Sequence, residues 1–144
     1  MKKIIGYTTG VFDLFHIGHL NILKRAKENC DELIVGVNTD ELVLSYKSKS
    51  PIIPFKDRIE IIRSLKCVDK VLPVINRDKI SQYLDIKYDI LFVGDDWKGS
   101  EIFKELDIYL KSHNSKICYF SYTKDVSSSK FRTLLTELYN LDDK

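Results

Sequence analysis

The sequence predicts an α/β fold, a doubly wound parallel sheet of about five strands with helices on both faces. Three observations carry this. Short runs rich in Ile, Val, Leu and aromatics recur along the chain. Most lack the polar alternation of a half-exposed strand, as expected when both faces of a parallel sheet are covered. Between them lie apolar residues at helical spacing.

The first strand is expected over Lys3 to Thr8. Its apolar stretch is too short for a signal peptide, and Asp13 soon follows. Leu20, Leu23 and Ala26, with Ile22 and Lys27 beside them, mark a helix of about three turns ending near Cys30. Leu33 to Val37 is the second strand. Ser45 to Pro54 is polar, holds two of the chain's three prolines, and is expected to be irregular. After Pro54 and Asp57, Ile59, Ile62 and Leu65 mark a second helix. Strands follow at Val71 to Val74 and Ile90 to Val93. Ile102, Phe103, Leu106, Tyr109 and Leu110 give a third helix, Ile117 to Phe120 a fifth strand, and Phe131, Leu134, Leu135 and Leu138 a last helix. The order β-α-β-α-β-α-β-α-β-α implies one domain over 1–140, with 141–144 a frayed tail.

Composition sets bounds without naming a function. The 144 residues carry 23 basic and 21 acidic side chains, a balance of +2 that gives no sign of nucleic acid as a partner. No apolar run approaches the ~18 residues of a membrane span. Cys30, Cys67 and Cys118 are odd in number and widely spaced, as for small buried hydrophobes in a reducing cytoplasm.

Ligands of such sheets bind beyond the carboxyl ends of the strands, where strand order reverses. After strand one comes Thr8-Thr9-Gly10-Val11-Phe12-Asp13-Leu14-Phe15-His16-Ile17-Gly18-His19. Gly10 allows a tight turn and a close ligand. His16 and His19 flank Gly18 where the first helix begins, and a helix amino terminus is a ready anion site. Zinc fails on spacing, because a helical metal pair prefers i, i+4, and the only other histidine, His113, lies on a distant helix.

Gly10 to His19 resembles the HxGH signature of the cytidylyltransferases, within the HxGH nucleotidyltransferase superfamily. Those enzymes have a Rossmann-like fold, join a nucleotide to a phosphomonoester, and release pyrophosphate. The resemblance runs from about Tyr7 to Leu135. It implies that Thr9, Gly10, Val11, Phe12, Asp13 and Gly18 contact the nucleotide and that His16 and His19 stabilise the transferring phosphates. Lys49, two residues before the Pro51 to Arg58 run, takes the loop lysine's role at the α-phosphoryl group. Lys47, Asp40, Asp13 and Trp97 fall to the acceptor. Arg58 and Lys66 are nucleotide contacts by the same resemblance, Lys66 standing where the family has arginine. On composition alone, Arg58 would be an exposed helix charge.

Gly94-Asp95-Asp96-Trp97 is similar to members of the family that use glycerol 3-phosphate. It implies that Gly94, Asp95 and Trp97 line the ligand. Ser127, Ser128 and Ser129 resemble the family's hydroxyl-rich phosphate motif, with Ser128 on the polyphosphate. Where the family has an arginine–threonine pair, this chain has Tyr122 and Thr123, followed by Lys124. Thr123 is expected to bind nucleotide.

The expected reaction is CTP plus a small phosphomonoester, with Mg²⁺ carried mainly on the nucleotide phosphates and a homodimer as the assembly. Glycerol 3-phosphate is the expected acceptor. The Gly10 to His16 and Pro51 to Arg58 stretches look closer to choline- or ethanolamine-phosphate enzymes. Transfer from ATP is the enzymatic alternative, and a nucleotide sensor without turnover is the non-enzymatic one. A dinucleotide-binding module would need G-x-G-x-x-G after strand one, which Gly6, Gly10 and Gly18 do not form.

Overall fold

The computed structural model describes residues 2–121 and 128–139. The elements run β1 (Ile5–Gly10), α1 (Ile17–Glu28), β2 (Glu32–Asn38), α2 (Asp40–Lys47), α3 (Phe55–Arg63), β3 (Lys70–Val74), α4 (Lys79–Ile86), β4 (Ile90–Gly94), a 3₁₀ turn (Asp95–Trp97), α5 (Glu101–Lys111), β5 (Lys116–Phe120) and α6 (Ser128–Tyr139). The five strands form one parallel sheet in the order β3-β2-β1-β4-β5. Strand order reverses between β1 and β4, so their carboxyl ends, at Gly10 and Gly94, open a crevice.

The missing polar alternation now has its cause. Leu33, Val35 and Val37 of β2 and Ile90 and Phe92 of β4 pack on one face with Leu23, Ala26, Ile59 and Ile62. Ile34 and Leu91, one residue out of step, pack on the other with Tyr83, Phe103, Leu106 and Leu110. Each strand thus feeds two cores. At the opposite edge, aspartates pin the amino ends of strands. Asp31 accepts from the Ile4 amide at 2.7 Å, Asp89 from Ile5 at 2.8 Å, and Asp69 from Leu33 at 2.7 Å. The carboxyl edge is left for ligand.

Two helices depart from the sequence reading. α2 occupies the start of the stretch expected to be irregular, because Thr39 caps Leu42 at 3.2 Å and Leu42 and Val43 are buried. It ends where Ser48 turns left-handed at φ 63°. The strand–helix alternation required a helix between the third and fourth strands without marking its residues. α4 fills that place, with Asp78 accepting from the Ile80 and Ser81 amides at 3.0 and 3.2 Å. Leu65 lies beyond the end of α3.

The first turn is also built differently. Gly10 ends β1, and the left-handed residues are Phe12 (φ 55°) and Leu14 (φ 50°). Such strain in side-chain-bearing residues persists only where the surroundings over-determine it. What Gly10 supplies is space, since a Cβ there would meet the Phe12 ring at 3.0 Å.

Candidate active site

His16 caps α1 with an extended backbone, and its Nδ1 accepts from the Gly18 amide at 3.0 Å. His19, one turn on, accepts from the His16 amide through its own Nδ1 at 3.3 Å. A ring nitrogen that accepts an N–H carries no proton, so both neutral rings hold theirs on Nε2. The rings stack with centroids 3.9 Å apart. Phe15 stacks on His19 at 5.3 Å, Phe12 meets its edge at 5.5 Å, and Phe131 of α6 meets His16 at 5.4 Å. Phe131, one turn into α6, sets the amino end of that helix beside the pair.

Burial pushes the His16 imidazole below its ordinary value. It holds His19 down at about 4, with the neighbouring His16 ring adding to the effect and Asp13 opposing it. At neutral pH the site therefore presents two uncharged N–H donors. The Nε2 of His16 is buried and has no partner among the described residues. A buried donor left unpaired is costly, and a phosphate oxygen would satisfy it.

This environment has a consequence for stability. His19 titrates at about 4 when folded but near 6.5 when unfolded. The unfolded chain therefore binds more protons between those values, so stability is whole above about pH 6.5 and is lost as pH falls toward 4. Between about pH 7 and about pH 4.5 the loss expected from this residue is on the order of 2 kcal/mol. Denaturant unfolding of the parent and of His19→Asn at both pH values checks it. The variant should show the shallower loss, and an equal loss would remove His19 as the source.

A cavity of about 690 Å³ opens at the crevice. Thr9, Gly10, Val11, Phe12, His19, Lys47, Gly94 and Trp97, all expected site residues, line it. Lys49 is exposed in the segment after α2 and lies off the lining, so Lys47 is the lysine that α2 delivers to the wall. Asp95 is exposed beside the lining residues Gly94 and Trp97. Thr123 and Ser127 lie outside the described residues, as do Tyr122 and Lys124. Ser128 and Ser129 open α6, but their side chains also fall outside the described set.

Four expected ligand contacts prove to belong elsewhere. Arg58, 1% exposed, donates to the carbonyls of Ile53 (2.9 Å), Val11 (2.7 Å) and Asn38 (2.8 Å), and to Asp40 Oδ1 (2.7 Å). Four of its five N–H donors join the β1–α1 turn, the end of β2, Asp40 and the segment before α3. Asp40 is correspondingly its partner, and accepts from the Phe55 amide at 3.2 Å. Asp13 is 6% exposed and accepts from the Ile52 and Ile53 amides at 2.8 and 2.9 Å and from Arg132 at 3.1 Å. It clasps the loop and α6 to the first turn. Lys66 is exposed between α3 and β3, at the amino edge of the sheet, away from the crevice.

Sequence reasoning missed Arg132, Asn38, Tyr46 and the Asn76-Arg77-Asp78-Lys79 segment after β3, the last six all on the cavity wall. Burial lowers the Lys79 ammonium to about 8, Arg77 adds to the effect, and Asp78 opposes it. Position alone would have pointed to these four consecutive residues, since they follow the end of a strand after a single intervening residue.

An amino-terminal helix grip at the reversal point of a parallel sheet, with uncharged imidazole donors, is the site of a nucleotidyl-transferring α/β protein. The cytidylyltransferase-like family model matches residues 7–134. A glycerol-3-phosphate cytidylyltransferase of Bacillus spizizenii is 37% identical over 139 residues, covering 96% of this chain and all of that protein. One of Bacillus subtilis is 35% identical over 133 residues, covering 92% of this chain and 95% of that protein. Among solved structures, a lipopolysaccharide core biosynthesis protein of Thermoplasma volcanium superposes with TM-score 0.74 at 32% identity, over 85% of this chain and all of that one. A pantoate-β-alanine ligase of Francisella tularensis shares the fold at TM-score 0.59 and 17% identity, over 98% of this chain and 73% of that one. The chain belongs to the cytidylyltransferase-like family and is a nucleotidyltransferase.

Proposed function

We propose that the protein transfers CMP from CTP to glycerol 3-phosphate, giving CDP-glycerol and pyrophosphate. The observation that carries this reading is the buried Nε2 of His16, without a partner among the described residues, beside the stacked His19 ring at a helix terminus that favours anions. The two Bacillus relatives, matched over nearly the whole chain, support CTP and this acceptor.

An oxygen of the acceptor phosphate attacks the α-phosphorus of CTP. The new P–O bond forms as the bond to the β-phosphate bridge breaks, and pyrophosphate departs. The acceptor's second phosphate pKa lies near 6, so the nucleophile is already largely ionised and needs no strong base. The protein supplies position and hydrogen-bond donors. His16 and His19 donate through Nε2 to charge that builds on the transferring phosphates. Ser128, with Ser127, Ser129 and Thr123, takes the polyphosphate tail, and Gly10, Gly18 and Gly94 contact the nucleotide through their main chain. Lys47, Arg77 and Lys79 line the β2–β3 side of the cavity, where a second phosphate dianion needs cations. Lys49 follows two residues beyond Lys47, past the end of α2.

Among the described residues no cluster of three or more His, Cys, Asp or Glu could hold a metal ion. Mg²⁺ would arrive on the triphosphate oxygens and would supply charge neutralisation there. Among the described residues no helix is long and apolar enough to cross a membrane. A cytoplasmic homodimer is part of the same proposal.

Pyrophosphate release tests it. With Mg²⁺, CTP and glycerol 3-phosphate should give CDP-glycerol and pyrophosphate in equal amounts, and ATP should give little. Tight CTP binding without pyrophosphate from any phosphomonoester would make the protein a sensor instead.

A further inference from the structure

One residue of the cavity wall carries a polar atom that has no use in that chemistry. Asn38 ends β2, and Arg58 holds its carbonyl at 2.8 Å. Its amide nitrogen donates to the Tyr46 hydroxyl at 3.0 Å, while its Oδ1 is buried with no partner among the described residues. A buried amide oxygen without a donor marks a place where a ligand group is missing. Turning the amide round leaves its nitrogen over instead, and a hydroxyl serves both cases because it donates and accepts. A phosphate dianion only accepts, and a quaternary ammonium does neither.

A second observation narrows the ligand. The Arg77 guanidinium carbon lies 4.3 Å from the Tyr46 ring centroid and 5.9 Å from that of Trp97. Two aromatic faces on one cavity wall are what an organic cation would seek. Here a cation of the protein already occupies them, and it repels another.

We propose that Asn38, with Tyr46 beside it, reads a hydroxyl on the carbon chain of the acceptor, and that Arg77 closes the aromatic pair to cationic acceptors. The acceptor is thereby a polyol phosphomonoester, and Asn38 sets the preference for it. This rests on the cytidylyl-transfer reading above.

The test is pyrophosphate release from CTP with glycerol 3-phosphate, a longer polyol phosphate, propyl phosphate and choline phosphate. In the parent, kcat/KM for the better polyol phosphate should exceed that for propyl phosphate by about 10–100-fold, the cost of an unpaired site group. Choline phosphate should fare no better than propyl phosphate. Asn38→Ala should bring the polyol-to-propyl ratio within about threefold with KM for CTP unchanged, and Asn38→Ser should restore part of it. A parent that treats hydroxylated and bare acceptors alike, or that accepts choline phosphate equally well, overturns the inference. So does an Asn38→Ala protein that keeps the full ratio. Should that variant fail to fold, the parent's own discrimination decides. If the parent releases no pyrophosphate with any acceptor, the reaction assignment falls, and this inference with it.

Discussion

His16→Ala is expected to lower kcat by about 10²–10³, the usual cost of removing a donor aimed at charge that develops in the transition state. The Nε2 of His16 is buried with no partner among the described residues, and the ring's tautomer is fixed by the Gly18 amide on the opposite nitrogen. Alanine also removes the cap of α1, which costs about 1 kcal/mol of stability. His16→Asn separates the two effects. Its side-chain oxygen can take over the acceptor role of Nδ1 toward Gly18, but nothing replaces Nε2. Both variants should therefore lose kcat alike, while the asparagine protein unfolds at nearly the parental denaturant concentration. KM for CTP should move little, since the lost bond strengthens chiefly as the reaction proceeds. A folded His16→Asn enzyme turning over at the parental rate would refute the role.

Arg58→Leu should have the largest effect on stability, a loss of about 3–5 kcal/mol. The side chain is wholly buried, and its removal leaves the carbonyls of Val11, Asn38 and Ile53 and the Asp40 carboxylate without their donor. For a chain of this length that corresponds to a fall in Tm of about 10–20 °C. Arg58→Lys should rescue little, because one ammonium cannot reach positions that a planar fork spans. Denaturant unfolding and thermal scans measure both. An Arg58→Leu protein as stable as the parent but unable to bind CTP would return Arg58 to the nucleotide contact that the motif resemblance implied.

Arg58 shows where the sequence stops being legible. Apolar periodicity located all five strands within two residues at each end and the helices that carry Leu23, Ile62, Leu106 and Leu138, because burial on a sheet face imposes a spacing. The histidine pair was legible through its motif and its place after a strand. Arg58, Asp13 and Asp40 matched motifs too, but a motif does not say whether a charged side chain points into a cavity or into the scaffold. Three of the four Arg58 partners are main-chain carbonyls or belong to the turn it supports, and main-chain atoms have the same identity under every side chain. α4 was missed because it is eight residues long, with Tyr83 its only buried residue. Arg77 and Lys79 went with it, their importance coming from a strand end rather than from any pattern of their own.

Because the Arg58 and Asp13 clasps grip backbone atoms, the neighbouring loop residues are free to drift without loosening the frame. Asn38, Tyr46 and Arg77 stand on β2, α2 and the β3–α4 connection, whereas the imidazoles stand on α1. On the proposal made above, the groups that read the acceptor thus stand on other elements than the imidazoles that face the transferring phosphates. Directed evolution toward a new alcohol phosphate then has a small library to search, the codons of Asn38 and Tyr46, with the imidazole pair and the wall cations left intact.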